Sequence, residues 1–293
     1  MISNYGKGAI RVPHETPHPI FAAIPQIDFT QPFSVPVPPD TDQGQADDCV
    51  GHGWSSYHWQ FTNARMAVRS IFAYIAQTYG AIIADGGQRI VKNGQQTFAE
   101  IPDPNPETPQ NMRDQTGLTP DQAVAYEALS SAALPGDDIN AVAWGIKNYL
   151  GVVFGLEGDN TGWQNMEVPE PPTSKDWGHC LYCMGYHMHT NPDGTQERCI
   201  ICKSSWCNEV KEHHIRERYF TSGNTFNAYT LIPNTMQFKT QNLGGELRIV
   251  LQASTPEQWA ALCAVYGVDP SVITETVSLV ASTTGDNSVD TVS

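Results

Sequence analysis

Basic charge is scarce in this chain. Its 293 residues carry 16 Lys and Arg against 31 Asp and Glu, a formal charge of −15. Nucleic acid and anionic membrane surfaces both need a basic footprint, so neither is expected as a partner. Long apolar runs are missing as well, none approaching the roughly 18 residues of a membrane span. The opening MISNYGKGAIRVPHETPHP lacks a basic stretch followed by an apolar one, so no secretory signal is expected. Internal repeats are absent, which excludes solenoid and propeller architectures. Charged residues make up only 16% and apolar residues 40%, enough for a sizeable core, while 21 prolines and 24 glycines imply many turns and long loops. Seven cysteines is an odd number, and most sit in apolar surroundings. They read as free thiols of a chain made and kept in a reducing setting, cytoplasmic or particle-associated.

The order of patterns along the chain is helices first and strands later, an α+β layout. Residues 1–40 are proline-rich and read as an extended arm, with PQIDFTQPFSVPVP as its apolar contact. Residues 41–233 form the main domain. Helical spacing of aromatics and aliphatics runs from Val50 to Ala81. DGGQRIVKNGQQ reads as a turn and short helix, residues 100–120 as a loop without core pattern, and TPDQAVAYEAL as a helix capped by Thr119. DDINAVAWGIKNYL predicts another helix, GVVFGLEG a buried strand, and YFTSGNTFNAYTLI at least one more strand. Residues 234–293 form an appendage: a strand in GGELRIVLQAS, a helix in TPEQWAALCAVYG with a capping box at Thr255 and Gln258, and a flexible polar tail.

GHCLYCMGYHM and RCIICKSSW are β-rich runs joined by HTNPDGTQE, whose Asn-Pro-Asp-Gly is a strong hairpin signal. Cys180, Cys183, Cys199 and Cys202 have the spacing of a zinc ribbon. Leu, Tyr and Ile between the paired cysteines favour strands, however, and positions i and i+3 of a strand face opposite ways. The preferred reading is four core thiols with no metal and no cofactor. His187 and His189 alternate on one face near the hairpin tip, where they could bind metal weakly, and His213-His214 reads as a solvated strand start. His52 and His58 read as cleft-wall or surface residues.

One segment stands apart. TDQGQADDCVGHGW sets Cys49 at the end of a polar, glycine-rich loop, with Gln43 six residues upstream and an aromatic helix downstream. Far along the chain, 130 residues later, His179 opens the strand GHCLYCMGY, and the next strand ends in CKSSWC. In order and spacing this set resembles the papain-like cysteine proteases over roughly residues 40–233. The resemblance implies a two-lobed fold, a helical lobe beside an antiparallel barrel-like β lobe, with the substrate between them. It implies hydrolysis of peptide bonds, with a peptide or protein as partner. Cys49 would be the nucleophile, His179 the imidazolium and later proton donor, and Gln43 an oxyanion-hole donor. Ser204 would take the place of the orienting asparagine, and Trp206 would cover the histidine's partner from water. Gly86 and Gly87, in DGGQ, would bond the backbone of an extended substrate.

The departures are as informative. A serine stands where the resemblance calls for asparagine, Val50 where an aromatic usually follows the cysteine, and Asp47 and Asp48 oppose a thiolate unless they point away. Only 48 residues precede Cys49, too few for the usual pro-region, although the proline-rich arm could lie over the cleft. These features allow an alternative: a weak or inactive protease fold kept for binding or structure, for instance in a virus or phage particle, with the arm and the C-terminal element contacting assembly partners. A zinc-ribbon interaction protein is the third reading.

Overall fold

A computed structural model describes residues 8–13, 24–120, 123, 130–159, 162–163, 168–206 and 212–232, and the backbone of 239–243 and 246–250. The chain divides into two compact units, Met1–Pro233 and Asn234–Ser293. In the second, β10 (Lys239–Leu243) and β11 (Glu246–Val250) form an antiparallel pair. The helix expected near residue 255 and the polar tail lie outside the described residues, as does most of the helix expected after Thr119.

The first unit joins a helical layer to an antiparallel sheet. The layer consists of α1 (Cys49–Thr62), α2 (Arg69–Ile75) and α3 (Ile83–Asn93), while α4 (Ile139–Tyr149) packs on the sheet, with Gly145 against Val152 and Leu134. Aromatic periodicity makes α1 the central one. Trp54 and Tyr57 are fully buried, their rings stack on each other, and Tyr57 stacks on Tyr182 of the sheet. Neither aromatic leaves a polar atom stranded. The Trp54 Nε1–H donates to the Ile83 carbonyl at 2.8 Å, and the Tyr57 hydroxyl donates to the Tyr149 carbonyl at 2.6 Å. Asn63 ends α1 in the left-handed conformation, at φ 50°. At α4, Asp138 caps the start by accepting the Asn140 N–H, and Leu150 at φ 65° ends it.

The sheet runs in the order β4 (Ser130–Leu134), β9 (Thr225–Ile232), β5 (Val152–Gly158), β6 (Trp177–Thr190), β7 (Gln196–Lys203) and β8 (Glu212–Arg216). The short β2 (Phe33–Ser34) joins it on β6, and α5 (Glu217–Thr221) follows β8. The sheet is open, because no pairing closes β4 on β8 among the described residues. The β lobe is therefore a twisted antiparallel sheet without barrel closure. Fourteen-residue β6 is its spine: its first half pairs with β5, and its second half with β7 and β2. The hairpin turn at Asn191–Thr195 forms as its sequence predicts, with Gly194 at φ +83°. Part of the arm packs as expected, since Phe29 and Phe33 lay their rings on Tyr186 of β6 and Phe29 and Val35 are buried.

Candidate active site

Two side chains open two elements that pack on each other. Cys49 is the first residue of α1 and His179 the third of β6, and both are fully buried. The Cys49 thiol lies beside the backbone at Cys180, the residue after His179, and at Gly8 of the arm. Burial pushes that thiol up to about 12; Asp48 and Asp47 add to the rise, while the two backbone contacts pull it down. Burial first, then His213 and His52, hold His179 well below the usual imidazole value. Burial thus favours the neutral form of the Cys49 thiol and of the His179 imidazole alike.

The two serines after β7 divide the supporting work. His179 Nε2 lies 3.3 Å from Ser204 Oγ, which also accepts the Trp206 N–H at 3.2 Å. Trp206 stacks on the imidazole at 4.0 Å between centroids, and Trp177 meets its edge. Ser205 serves a different residue. Its hydroxyl donates to Gln43 Oε1 at 2.5 Å, and its carbonyl accepts the Gln43 N–H at 3.0 Å. The Gln43 amide also donates to the Ala46 carbonyl at 2.7 Å, so its orientation is fixed at both ends. No sequence signal separated the roles of Ser204 and Ser205.

The acids beside Cys49 do not face solvent. Asp47 takes the Arg113 guanidinium through both oxygens, at 2.8 and 2.6 Å, and accepts the Gly80 N–H. Asp48, just before α1, and His52, one turn into it, are buried and cluster with the half-buried Glu107, whose Oε2 is 2.8 Å from His52 Nε2. Burial opposes charge on His52, yet Asp48 and Glu107 outweigh it and raise it to about 9. Burial lifts Asp48 well above the usual carboxylate range. The featureless loop at 100–120 thus supplies Glu107, Asp103 and Arg113. The readable clue was the Asp48/His52 spacing of i, i+4; nothing marked Glu107. A cleft of about 400 Å³ lies beside this cluster, lined by Asp40, Asp42, Arg65, Phe98, Asp103 and Glu107 among others.

The glycine pair is a correction. Gly86 and Gly87 lie inside α3, buried under the Trp54 indole, where a Cβ on Gly86 would fall 2.3 Å from Trp54 Cδ1. They permit helix packing and carry no extended backbone. The backbone that does pair with an extended segment belongs to β3 (Ala81–Ile82), just before α3. Its parallel partner is β1 (Ala9–Ile10), from the arm. The Ala81 N–H donates to the Gly8 carbonyl at 2.7 Å. Gly80, at φ +74°, admits that carbonyl, and the Ala9 carbonyl sits where a Cβ on Gly178 would be, 2.3 Å away. Residues 8–10 therefore lie across Cys49 and the residue preceding His179.

Cys180 and Cys183 are on β6 and Cys199 and Cys202 on β7, as strand residues, and all four are free. Cys180 faces α1 at Gly53, whereas Cys183 meets Cys202 at 3.1 Å between sulfurs. Among the described residues, two groups of three bring possible ligand atoms within 4.8 Å of one another: Asp48, His52 and Glu107, and separately His187, Cys199 and His214. No helix of the described residues is long and apolar enough to cross a membrane.

No family model matches this sequence, and no curated protein does either. Solved structures do. Xylellain, a cysteine protease from Xylella fastidiosa, aligns at TM-score 0.57 and 18% identity over 80% of this chain and 98% of its own. The proform of the ragweed pollen cysteine protease Amb a 11 aligns at 0.58 and 16%, over 73% and 68%. Digestive procathepsin L 3 of Tenebrio molitor larval midgut aligns at 0.54 and 14%, over 78% and 76%. The fold of this chain is that of the papain-like cysteine proteases.

Proposed function

We propose that the chain is a cysteine peptidase held in a covered state by its own N-terminal segment. The observation that carries this reading is the joint placement of Cys49 at a helix start, beside the backbone following His179, with His179 backed by Ser204 and Trp206. A helix N-terminus favours a thiolate, and an adjacent imidazolium would favour it further. Burial now opposes both charges. Departure of residues 8–10 would admit water and substrate and relieve that penalty.

In the open state, His179 Nδ1 takes the thiol proton, and Nε2–H donates to Ser204 Oγ. The thiolate attacks the scissile carbonyl carbon. The resulting oxyanion is stabilised by the Cys49 N–H and the Gln43 amide, a type of donor whose loss costs about 2.7–4 kcal/mol. His179 then protonates the departing amine, leaving a thioester. Water, deprotonated by the same imidazole, attacks the thioester and frees the acid and the thiol. Ala81, whose N–H now bonds Gly8, would bond the substrate backbone in its place.

The test keeps the whole chain. Gly8→Val puts a Cβ about where the Asp47 carbonyl lies, since that atom would sit 1.9 Å away, so the strand cannot seat. Gly8→Val should label rapidly with a thiol-directed epoxide and cleave unfolded protein, and adding Cys49→Ala or His179→Ala should abolish both. Full cleavage by the Cys49→Ala form, or a Cys49 in Gly8→Val no more reactive than glutathione, would overturn the proposal. The second outcome would favour a binding module, a reading that the complete burial of Cys49 and His179 supports.

A further inference from the structure

His187, Cys199 and His214 come from three adjacent strands, β6, β7 and β8. Register pairs His187 with Cys199, and Ile201 with His214. Strand alternation then sets His187, Cys199 and His214 on one face of the sheet. Their donor atoms all lie within 4.8 Å of one another, and His187 Nε2 is 3.0 Å from His214 Nδ1. We propose that these three residues bind one zinc-like divalent ion, which staples β6, β7 and β8 together.

The chemistry of the donors selects the ion. One thiolate and two imidazoles suit zinc and its borderline neighbours, whereas calcium and magnesium require oxygen. The orientation of His187 fits as well. Its Nδ1 lies 2.9 Å from the Met188 carbonyl. A carbonyl only accepts, so the proton is on Nδ1, and the Nε2 lone pair points into the cluster. A backbone carbonyl holding the far nitrogen is how metal-bound imidazoles are usually oriented. Bond lengths near 2.0–2.1 Å to nitrogen and 2.3 Å to sulfur place tetrahedral ligand atoms about 3.3–3.6 Å apart. The two nitrogens need to part by a few tenths of an ångström, and the sulfur, within 4.8 Å of both, to settle about 3.6 Å from each.

Access and local charge also permit binding. Cys199 is buried, while both histidines are half-buried and open the site to solvent. Arg216 shares this face beside Cys199 but is held by Asn191 and Glu170, so its charge is already paired. Binding releases the Cys199 proton to solvent and forms the metal–sulfur bond, with water in the fourth position. The site is distinct from the Cys49 centre: His179 and His187 are eight residues apart on β6, about 26 Å at 3.3 Å per residue. The stapled β7 nonetheless leads directly into Ser204 and Ser205. The ion would thus stiffen the strands that present His179 and its support.

Chelator-treated full-length protein should take up one zinc per chain, raising its melting temperature. With Co(II) as probe, a thiolate-to-metal charge-transfer band should appear. His187→Gln, His214→Gln and Cys199→Ser should each weaken zinc binding by more than about 100-fold, beyond what loss of an orienting partner costs. Cys49→Ala and Glu107→Gln should leave it unchanged. Should Cys199→Ser fail to fold, the two histidine variants, at half-buried positions, decide the matter. The proposal is overturned if zinc does not bind stoichiometrically, if it binds without the cobalt–thiolate band, or if its loss follows Cys49 or Glu107.

Discussion

His52 and His179 are both fully buried within the same unit, and they sit at opposite ends of the imidazole range. His52 is raised to about 9 and His179 is held well below its ordinary value. Burial acts on both in the same direction, so it does not explain the difference. The partners do. His52 has the Glu107 carboxylate at 2.8 Å and Asp48 at 3.6 Å. His179 has a serine hydroxyl, an indole face and two other histidines. A carboxylate compensates a buried charge and a hydroxyl does not. The charged form is thus favoured at His52, beside the Cys49 loop, and disfavoured at His179.

The contrast can be broken most severely at Glu107. Glu107→Gln removes the carboxylate that hydrogen-bonds His52, leaving Asp48 at 3.6 Å and the more remote Asp103, and should cost about 3 kcal/mol, as removal of one partner from a buried pair does. Urea unfolding measures this directly. The pH dependence checks its origin. His52 is raised in the folded state, so its stabilisation is complete below the unfolded value of about 6.5 and is lost as pH rises through about 9. Asp48, lifted by burial, contributes to the same downward slope from lower pH. Stability of the parent should decline across that window, and Glu107→Gln should flatten the decline; an unchanged slope would show that His52 is not the titrating group.

Uncovering the other histidine is the next largest change. In Gly8→Val, the imidazole signal assigned to His179 by NMR should move up toward ordinary values while His52 stays near 9. Epoxide labelling should rise at least tenfold, equivalent to about 1.4 kcal/mol. A smaller effect is expected from Ser205→Ala in that background. Loss of one hydrogen bond to Gln43, worth about 1 kcal/mol, should lower kcat roughly fivefold with KM little changed. Smallest, and in the opposite direction, Ser204→Asn gives His179 a carbonyl acceptor and should raise kcat a few-fold at mildly acidic pH. An Asn variant slower than the parent would show that the hydroxyl is the better fit here.

Much of this molecule was legible in residue order. The helix after Cys49, α4, β5 and the β6–β7 hairpin follow from periodicity and turn residues, because these preferences act within a few positions of the chain. The strand character of CLYC and CIIC was readable from Leu, Tyr and Ile between the cysteines. DGGQ misled for a related reason. Two glycines signal close approach without saying to what, and here Trp54 lies against them inside a helix. His52 read as a cleft-wall or surface residue, and its ion-pair partner was not legible, since Glu107 lies 55 residues away in a loop without pattern.

By itself, then, the sequence determined which segments coil, which extend, and which side chains are chemically able to act, for those are local properties of residue type and spacing. Tertiary structure alone decided their states. Whether an imidazole is charged, whether a thiol is covered by residues 8–10, and whether Ser204 or Ser205 serves histidine or glutamine depend on groups brought within about 3–4 Å from distant parts of the chain. Electrostatic and hydrogen-bond energies are set at that range, and distance along the sequence does not encode it.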